Sequence, residues 1–169
     1  MSNNVHDLST PCLILDKAKL YDNAQRLAKR AHDFKVHLRP HLKTAKSHEV
    51  ARIATNSHFG GITVSTLREA EYFAGHGFTD ITYAVCITPN KLARAESLVN
   101  QGIDLKIITD SVEVAQALSQ RPILHRVLIE IDCGEHRTGT SPDGDTFMQI
   151  ARVLNDAKNV ELLGVLTHG

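Results

Sequence analysis

No tryptophan occurs in this chain, and aromatic residues make up only 5% of its 169 positions. A protein that stacks bases along a nucleic-acid strand needs a row of such rings, and none can be assembled here. An excess of charge is missing too, because 19 Lys and Arg are matched by 19 Asp and Glu. Zero net charge leaves no footprint for a phosphate backbone or an anionic lipid surface, so neither nucleic acid nor membrane is expected as a partner. Apolar residues never run for the roughly 20 positions a membrane helix requires, and no charged stretch leads into an apolar one to make a signal peptide. Cys12, Cys86 and Cys133 are widely spaced and form no Cys-x-x-Cys pair. Reduced thiols in a cytoplasmic protein account for them.

Several motifs fail on inspection. Gly134 and Gly139 have the glycine spacing of a phosphate-cradling loop, but Thr140 stands where the lysine belongs. No Gly-x-Gly-x-x-Gly is present for a dinucleotide. The ten histidines offer no His-x-x-x-His spacing joined to a third ligand, so no metal site is expected among these residues.

What is present is an alternation of apolar runs with helical patterns. Asp16 precedes Leu20, Ala24, Leu27, Ala28 and Ala31, whose three- and four-residue spacing predicts a capped helix. A strand is expected over Val36–Lys43, then a helix through Val50, Ile53 and Ala54. Gly61–Ser65 reads as the next strand, and Thr66-Leu-Arg-Glu69 as a capping box whose helix buries Leu67, Ala70 and Phe73. Gly75 or Gly77 stops that helix. Ile81–Cys86, Leu105–Thr109, Val127–Asp132 and Leu162–His168 complete the strands, with helices opening at Thr88-Pro89, at Ser111 and near Gly144. Such an order requires parallel strands joined by helical crossovers. An open doubly wound sheet would be complete at this length, whereas a TIM (β/α)8 barrel needs roughly 250 residues. The apolar strand Leu162–His168 has no helix after it to cover a face, which favours about six strands of an eight-stranded barrel. Residues 1–169 are then expected to be the N-terminal part of one barrel domain.

Within that frame Val36–Lys43 stands out. Val36, Leu38 and Leu42 fall on one side of the strand, while His37, Arg39, His41 and Lys43 share the other. Crowded cations and desolvation both lower a lysine pKa, giving the free amine that Schiff-base chemistry needs. An edge strand with one wet face fits the same pattern. Barrels place their chemistry at the C-terminal ends of the strands, where Lys43, Ser65, Cys86, Asp110, Asp132 through Arg137, and His168 all lie.

Leu38-Arg-Pro-His-Leu-Lys-Thr-Ala-Lys46 resembles the lysine segment of the D-serine dehydratase and D-threonine aldolase family, pyridoxal-phosphate enzymes with a barrel of the alanine racemase N-terminal type. Ala45 departs from the family's Lys-Thr-His-Lys. Thr10-Pro-Cys-Leu-Ile-Leu-Asp16 is similar to the family's opening strand, and Ile62–Glu71 to its second barrel strand and helix. Ile131-Asp-Cys-Gly-Glu-His-Arg-Thr-Gly139 resembles its Asp-x-Gly-x-x-Arg-x-Gly loop, and Leu163-Gly-Val-Leu-Thr-His168 the strand ending in a histidine beside the cofactor. The resemblance implies that Lys43 is both catalytic and the covalent anchor of pyridoxal 5'-phosphate, with Lys46 the rival amine. It also implies that His41, Arg137 and His168 contact the cofactor: His41 tuning the amine or contacting the substrate carboxylate, Arg137 near the phenolic oxygen, His168 against the ring. For His41 a polar side chain inside the barrel, and for Arg137 an ion pair with Asp132, are the structural alternatives.

The function so implied is a lyase acting on β-hydroxy D-amino acids, D-serine or 3-hydroxyaspartate dehydratase first. A D-threonine aldolase or a racemase would use the same cofactor, and a cofactor-binding protein or inert fragment is the non-enzymatic reading. Ile62–Glu71 and the Asp-Cys-Gly loop look closer to the dehydratases. The family also implies a divalent metal, zinc or manganese, and a C-terminal β-domain, both supplied by residues outside this sequence. A D-amino acid substrate and a homodimer at full length complete the expectation.

Overall fold

Five parallel strands lie side by side in the order in which the chain makes them: β1 (Ile62–Val64), β2 (Asp80–Cys86), β3 (Asp104–Thr109), β4 (His125–Ile131) and β5 (Val160–Thr167). The computed structural model describes residues 4–55 and 61–169. Helices α1 (Lys17–Asp33) and α2 (His48–Thr55) precede the sheet. The crossovers carry α3 (Leu67–Gly75), α4 (Leu92–Asn100), α5 (Val112–Ser119) and α6 (Asp145–Asp156). Among the described residues no helix is long and apolar enough to cross a membrane.

Local sequence chemistry sets the helix starts. Asp16 Oδ1 accepts from the Lys19 amide at 3.0 Å, and Ser111 Oγ from the Val114 amide at 3.4 Å. Thr66 and Glu69 form the expected reciprocal capping box. Gly77, with φ +87°, turns the chain after α3 in a conformation that a side chain would disfavour.

Alternation along the strands sets the layers. Ile62, Val64, Ile81, Tyr83, Leu105, Ile107, Val127 and Ile129 are buried and form one core with Phe73, Leu98, Leu118, Ile150 and Leu154 of the helices. Burying each large side chain contributes about 1.5–3 kcal/mol, so this face holds the sheet together. The opposite face carries polar residues near its lower end, where Thr82, Lys106, Arg126 and Glu161 pair across neighbouring strands. Arg39 and Lys106 both bond Asp80, Lys106 and Arg126 both bond Asp104, and Arg126 reaches on to Glu161.

Two expected strands do not form. Val36–Lys43 is reduced to a single parallel bridge, His41 beside Thr63. Pro40 has no N–H to donate, so only its carbonyl (from the Thr63 amide, 2.8 Å) and the Leu42 amide (to Thr63 O, 3.0 Å) pair with β1. A turn then begins at Lys43 and is closed by the Lys46 amide on Leu42 O at 2.9 Å. The sheet therefore has five strands where about six were expected. Thr10–Asp16 is also not a strand, and its Leu13, Ile14 and Leu15 are exposed. The cationic crowd is rearranged as well: His37 is exposed, and Arg39, although it lines the cavity described below, has its guanidinium neutralised by Asp80 at the start of β2.

Candidate active site

At the C-terminal ends of the strands the polar face opens into a cavity of about 480 Å³. That volume lies in the range of cofactor and small-molecule sites. Its walls include Lys43, His41, Ser65, Glu130, Arg137 and His168. All four residues singled out for the cofactor thus line one cavity, although they come from three separate parts of the chain.

Lys43 stands at the start of the turn after the His41 bridge. Among the described residues its amine has no hydrogen-bond or ion-pair partner. Lys46 differs: its Nζ lies 3.2 Å from Glu69 Oε1, and it lines a separate surface depression. Burial would raise the Glu69 carboxyl, but hydrogen bonds from the Ser65 amide and from Lys46 hold it below the usual carboxylate range. That carboxylate ties the Lys43 turn to the start of α3.

His41 is fixed at both nitrogens. The Lys43 amide donates to Nδ1 at 3.2 Å, and Nε2 lies 3.3 Å from Ser65 Oγ. Desolvation first, and then the Lys43 charge, push the imidazole below its ordinary pKa, so it is neutral at pH 7.

Arg137 rides on a loop with four anchors. Asp132 accepts from the Gly134 amide at 2.9 Å and the His136 amide at 3.1 Å, and its other oxygen lies 2.7 Å from His136 Nδ1. Those bonds keep the Asp132 carboxyl below its usual range. Thr138 Oγ1 donates to Glu130 Oε1, and the Gly139 amide to Asp110 Oδ2, each at 3.0 Å. With Asp132 so engaged, Arg137 does not pair with it; Arg137 lies 3.8 Å from Glu135 and is more than half exposed. His168 is held over the same loop, its Nδ1 3.1 Å from Glu135 and its carbonyl accepting from the Cys133 thiol at 2.8 Å.

Sequence reading missed Glu130, a buried carboxylate that follows the apolar run Val127–Ile129 of β4. A charge ending such a run was the available signal. Its partners are hydroxyl and thiol: Thr138, and Cys86 Sγ at 3.0 Å. Cys86, Asp110 and Glu130 bring three possible metal-ligand atoms within 4.8 Å of one another, a grouping unforeseen from the histidines. Desolvation, and then the Glu130 and Asp110 carboxylates, raise the Cys86 thiol far above its usual range. It is therefore protonated, and its hydrogen already links the group.

A parallel sheet grown strand by strand, helices on one face, and a cavity with a free lysine at the strand ends together define an arc of the (β/α) barrel class. The chain belongs to the alanine racemase N-terminal domain family, whose model matches residues 15–169. It is 42% identical over 174 residues to D-threo-3-hydroxyaspartate dehydratase of Delftia sp. (strain HT23), covering 99% of this chain and 45% of the relative. It is 32% identical over 155 residues to D-serine dehydratase of Dictyostelium discoideum, covering 83% and 39%. A mutant of D-threo-3-hydroxyaspartate dehydratase in its metal-free form superposes with a TM-score of 0.90 at 42% identity, covering 96% of this chain and 44% of that one. The chain thus spans less than half the length of the curated relatives it matches.

Proposed function

We propose that the protein carrying this chain is a pyridoxal-phosphate-dependent lyase acting on β-hydroxy D-amino acids, with dehydration of D-serine or D-threo-3-hydroxyaspartate as its reaction. The observation that carries this reading is the Lys43 amine, without a hydrogen-bond or ion-pair partner among the described residues, in a cavity shared with Arg137 and His168, in a chain 42% identical to a dehydratase. The residues fit the cofactor: a free amine for its aldehyde, a cation for its ionised oxygen and a flat polar ring to lie against it. When bound, pyridoxal phosphate supplies an electron sink for negative charge at Cα.

The chain's own groups do the rest. Lys43 would hold the cofactor, and its Nζ is the amine placed to take the Cα proton. Arg137 would stabilise negative charge on the cofactor's phenolic oxygen, and His168 would offer its ring to the cofactor's. His41, neutral and hydrogen-bonded to the Lys43 backbone, orients that lysine. A divalent metal, zinc or manganese, would activate the hydroxyl as a leaving group, held by residues outside this sequence; the relative with a metal-free form supports its presence. These residues are the N-terminal part of the barrel domain, with a C-terminal β-domain beyond them, in a cytoplasmic homodimer. Three free thiols support the reducing compartment.

The test is to load the intact protein with pyridoxal phosphate and a divalent metal. D-serine, D-threonine, D-threo-3-hydroxyaspartate and D-alanine are then offered in parallel. Keto acid and ammonia from a hydroxy substrate is the expected result. Glycine with an aldehyde would make it an aldolase, and L-alanine a racemase. Cofactor bound without turnover would leave a binding protein.

A further inference from the structure

Ser65 follows the last residue of β1 and is half-buried at the cavity wall. Its hydrogen bonding can be followed atom by atom. The Lys43 amide donates to His41 Nδ1, so that nitrogen must carry a lone pair. In a neutral imidazole the other nitrogen, Nε2, then bears the hydrogen. Nε2 lies 3.3 Å from Ser65 Oγ, so His41 donates and the serine oxygen accepts. The serine hydrogen remains unused, since no other described group accepts it. The Ser65 amide is committed elsewhere, to Glu69 Oε2 at 2.8 Å, which fixes the backbone carrying the hydroxyl.

We infer that Ser65 is a ligand-contacting residue whose hydroxyl, held as an acceptor by His41, donates its hydrogen to an anionic oxygen of whatever occupies the cavity. Two sources share that chemistry: the phenolic oxygen of the cofactor and a substrate carboxylate. Lys43 and Arg137 favour an anion in the same space. Burial and the nearby Lys43 charge keep His41 from taking up a second proton, which would turn its Nδ1 against the Lys43 amide. The cofactor arm rests on the proposed function; the carboxylate arm does not.

The experiment compares wild type, Ser65→Ala and Ser65→Thr in the intact protein. The cofactor dissociation constant is measured by equilibrium dialysis, and that of malonate by calorimetry on cofactor-free protein. Removing a donor to a charged oxygen is expected to weaken one of these about tenfold or more. Ser65→Thr, which keeps the hydroxyl, should restore it to within about threefold, with the melting temperature unchanged. Weakened cofactor binding assigns the phenolic oxygen; weakened malonate binding alone assigns a carboxylate. Either supports the inference. Equal affinities in all three proteins, or a loss that threonine does not restore, overturn it. A wild type that binds malonate through Ser65 but no cofactor would sink the proposed function and leave this contact standing.

Discussion

The two ends of the same parallel sheet handle charge in opposite ways. At the N-terminal end, Arg39, Asp80, Lys106, Asp104, Arg126 and Glu161 alternate in sign, and each touches a neighbour of opposite sign. At the C-terminal end, Lys43 has no partner among the described residues, Arg137 is only loosely placed near Glu135, and Glu130 is bonded by a hydroxyl and a thiol. The strands and the backbone are common to both. Charge compensated within the chain stabilises the fold, while charge left open is available to a ligand. The difference marks which end a barrel uses for chemistry.

The sharpest way to break that comparison is Lys43→Ala. An amine without partners supports nothing in the fold, so the melting temperature should stay within a few degrees. Turnover of the loaded protein should fall by about a thousandfold or more. Borohydride reduction of wild type followed by peptide mapping should place the pyridoxyl group on Lys43; finding it on Lys46 would move the anchor.

Asp80→Ala attacks the other end and should do the reverse. It removes the carboxylate partner of Arg39 and leaves Lys106 with Asp104 alone in a half-buried setting, a loss of about 1–3 kcal/mol of stability. Cofactor affinity, read by dialysis, should not change. Acid should act on the same ladder. Burial would raise the Asp80 and Asp104 carboxyls, but hydrogen bonds from Arg39, Lys106 and Arg126 more than offset it and keep both low. A group lowered on folding contributes stability that is complete above its unfolded pKa of about 3.9 and is lost as pH falls through the folded value. The ladder's own contribution, read as the difference in denaturant midpoint between wild type and Asp80→Asn, should therefore be constant from neutral pH down to about pH 4 and shrink below it. Asp80→Asn should flatten the acid limb; a difference that instead shrinks with rising pH would refute the assignment.

The mildest test sharpens the loop. Gly139 has φ +95°, and a Cβ there would lie 2.5 Å from the Asp132 backbone nitrogen. Gly139→Ala should shift the Arg137 loop, costing about 1–2 kcal/mol of cofactor binding with less effect on the melting temperature. Unaltered binding would show that Arg137 does not depend on this anchor.

What the sequence disclosed was local. The Thr66–Glu69 capping box, the Asp16 and Ser111 caps and the apolar alternation of the strands rest on neighbours three or four residues apart, and they appear where expected. The strand at Val36–Lys43 failed on one atom, the missing N–H of Pro40, which its alternation did not reveal. The neutralisation of Arg39 was hidden because its partner, Asp80, is distant along the chain and only the fold shows the pair. Cys86 with Glu130, and Ser65 with His41, were invisible for the same reason. Lys43 was marked by its cationic neighbours and, with Arg137 and His168, by its place at a strand end, whereas the cofactor roles of all three came only through resemblance.

One consequence of the strand order concerns synthesis. Every strand pairs with the one made immediately before it, from β1 to β5. As the nascent chain leaves the ribosome at about 5–20 residues per second, each new strand meets an edge already present. Its crossover helix arrives first, with an apolar face ready for the layer behind. Pairing between consecutive strands keeps each closed loop shorter than pairing between distant strands would, which lowers the entropy cost of closing it. The sheet can thus be laid down like courses of brick, growing at one edge only.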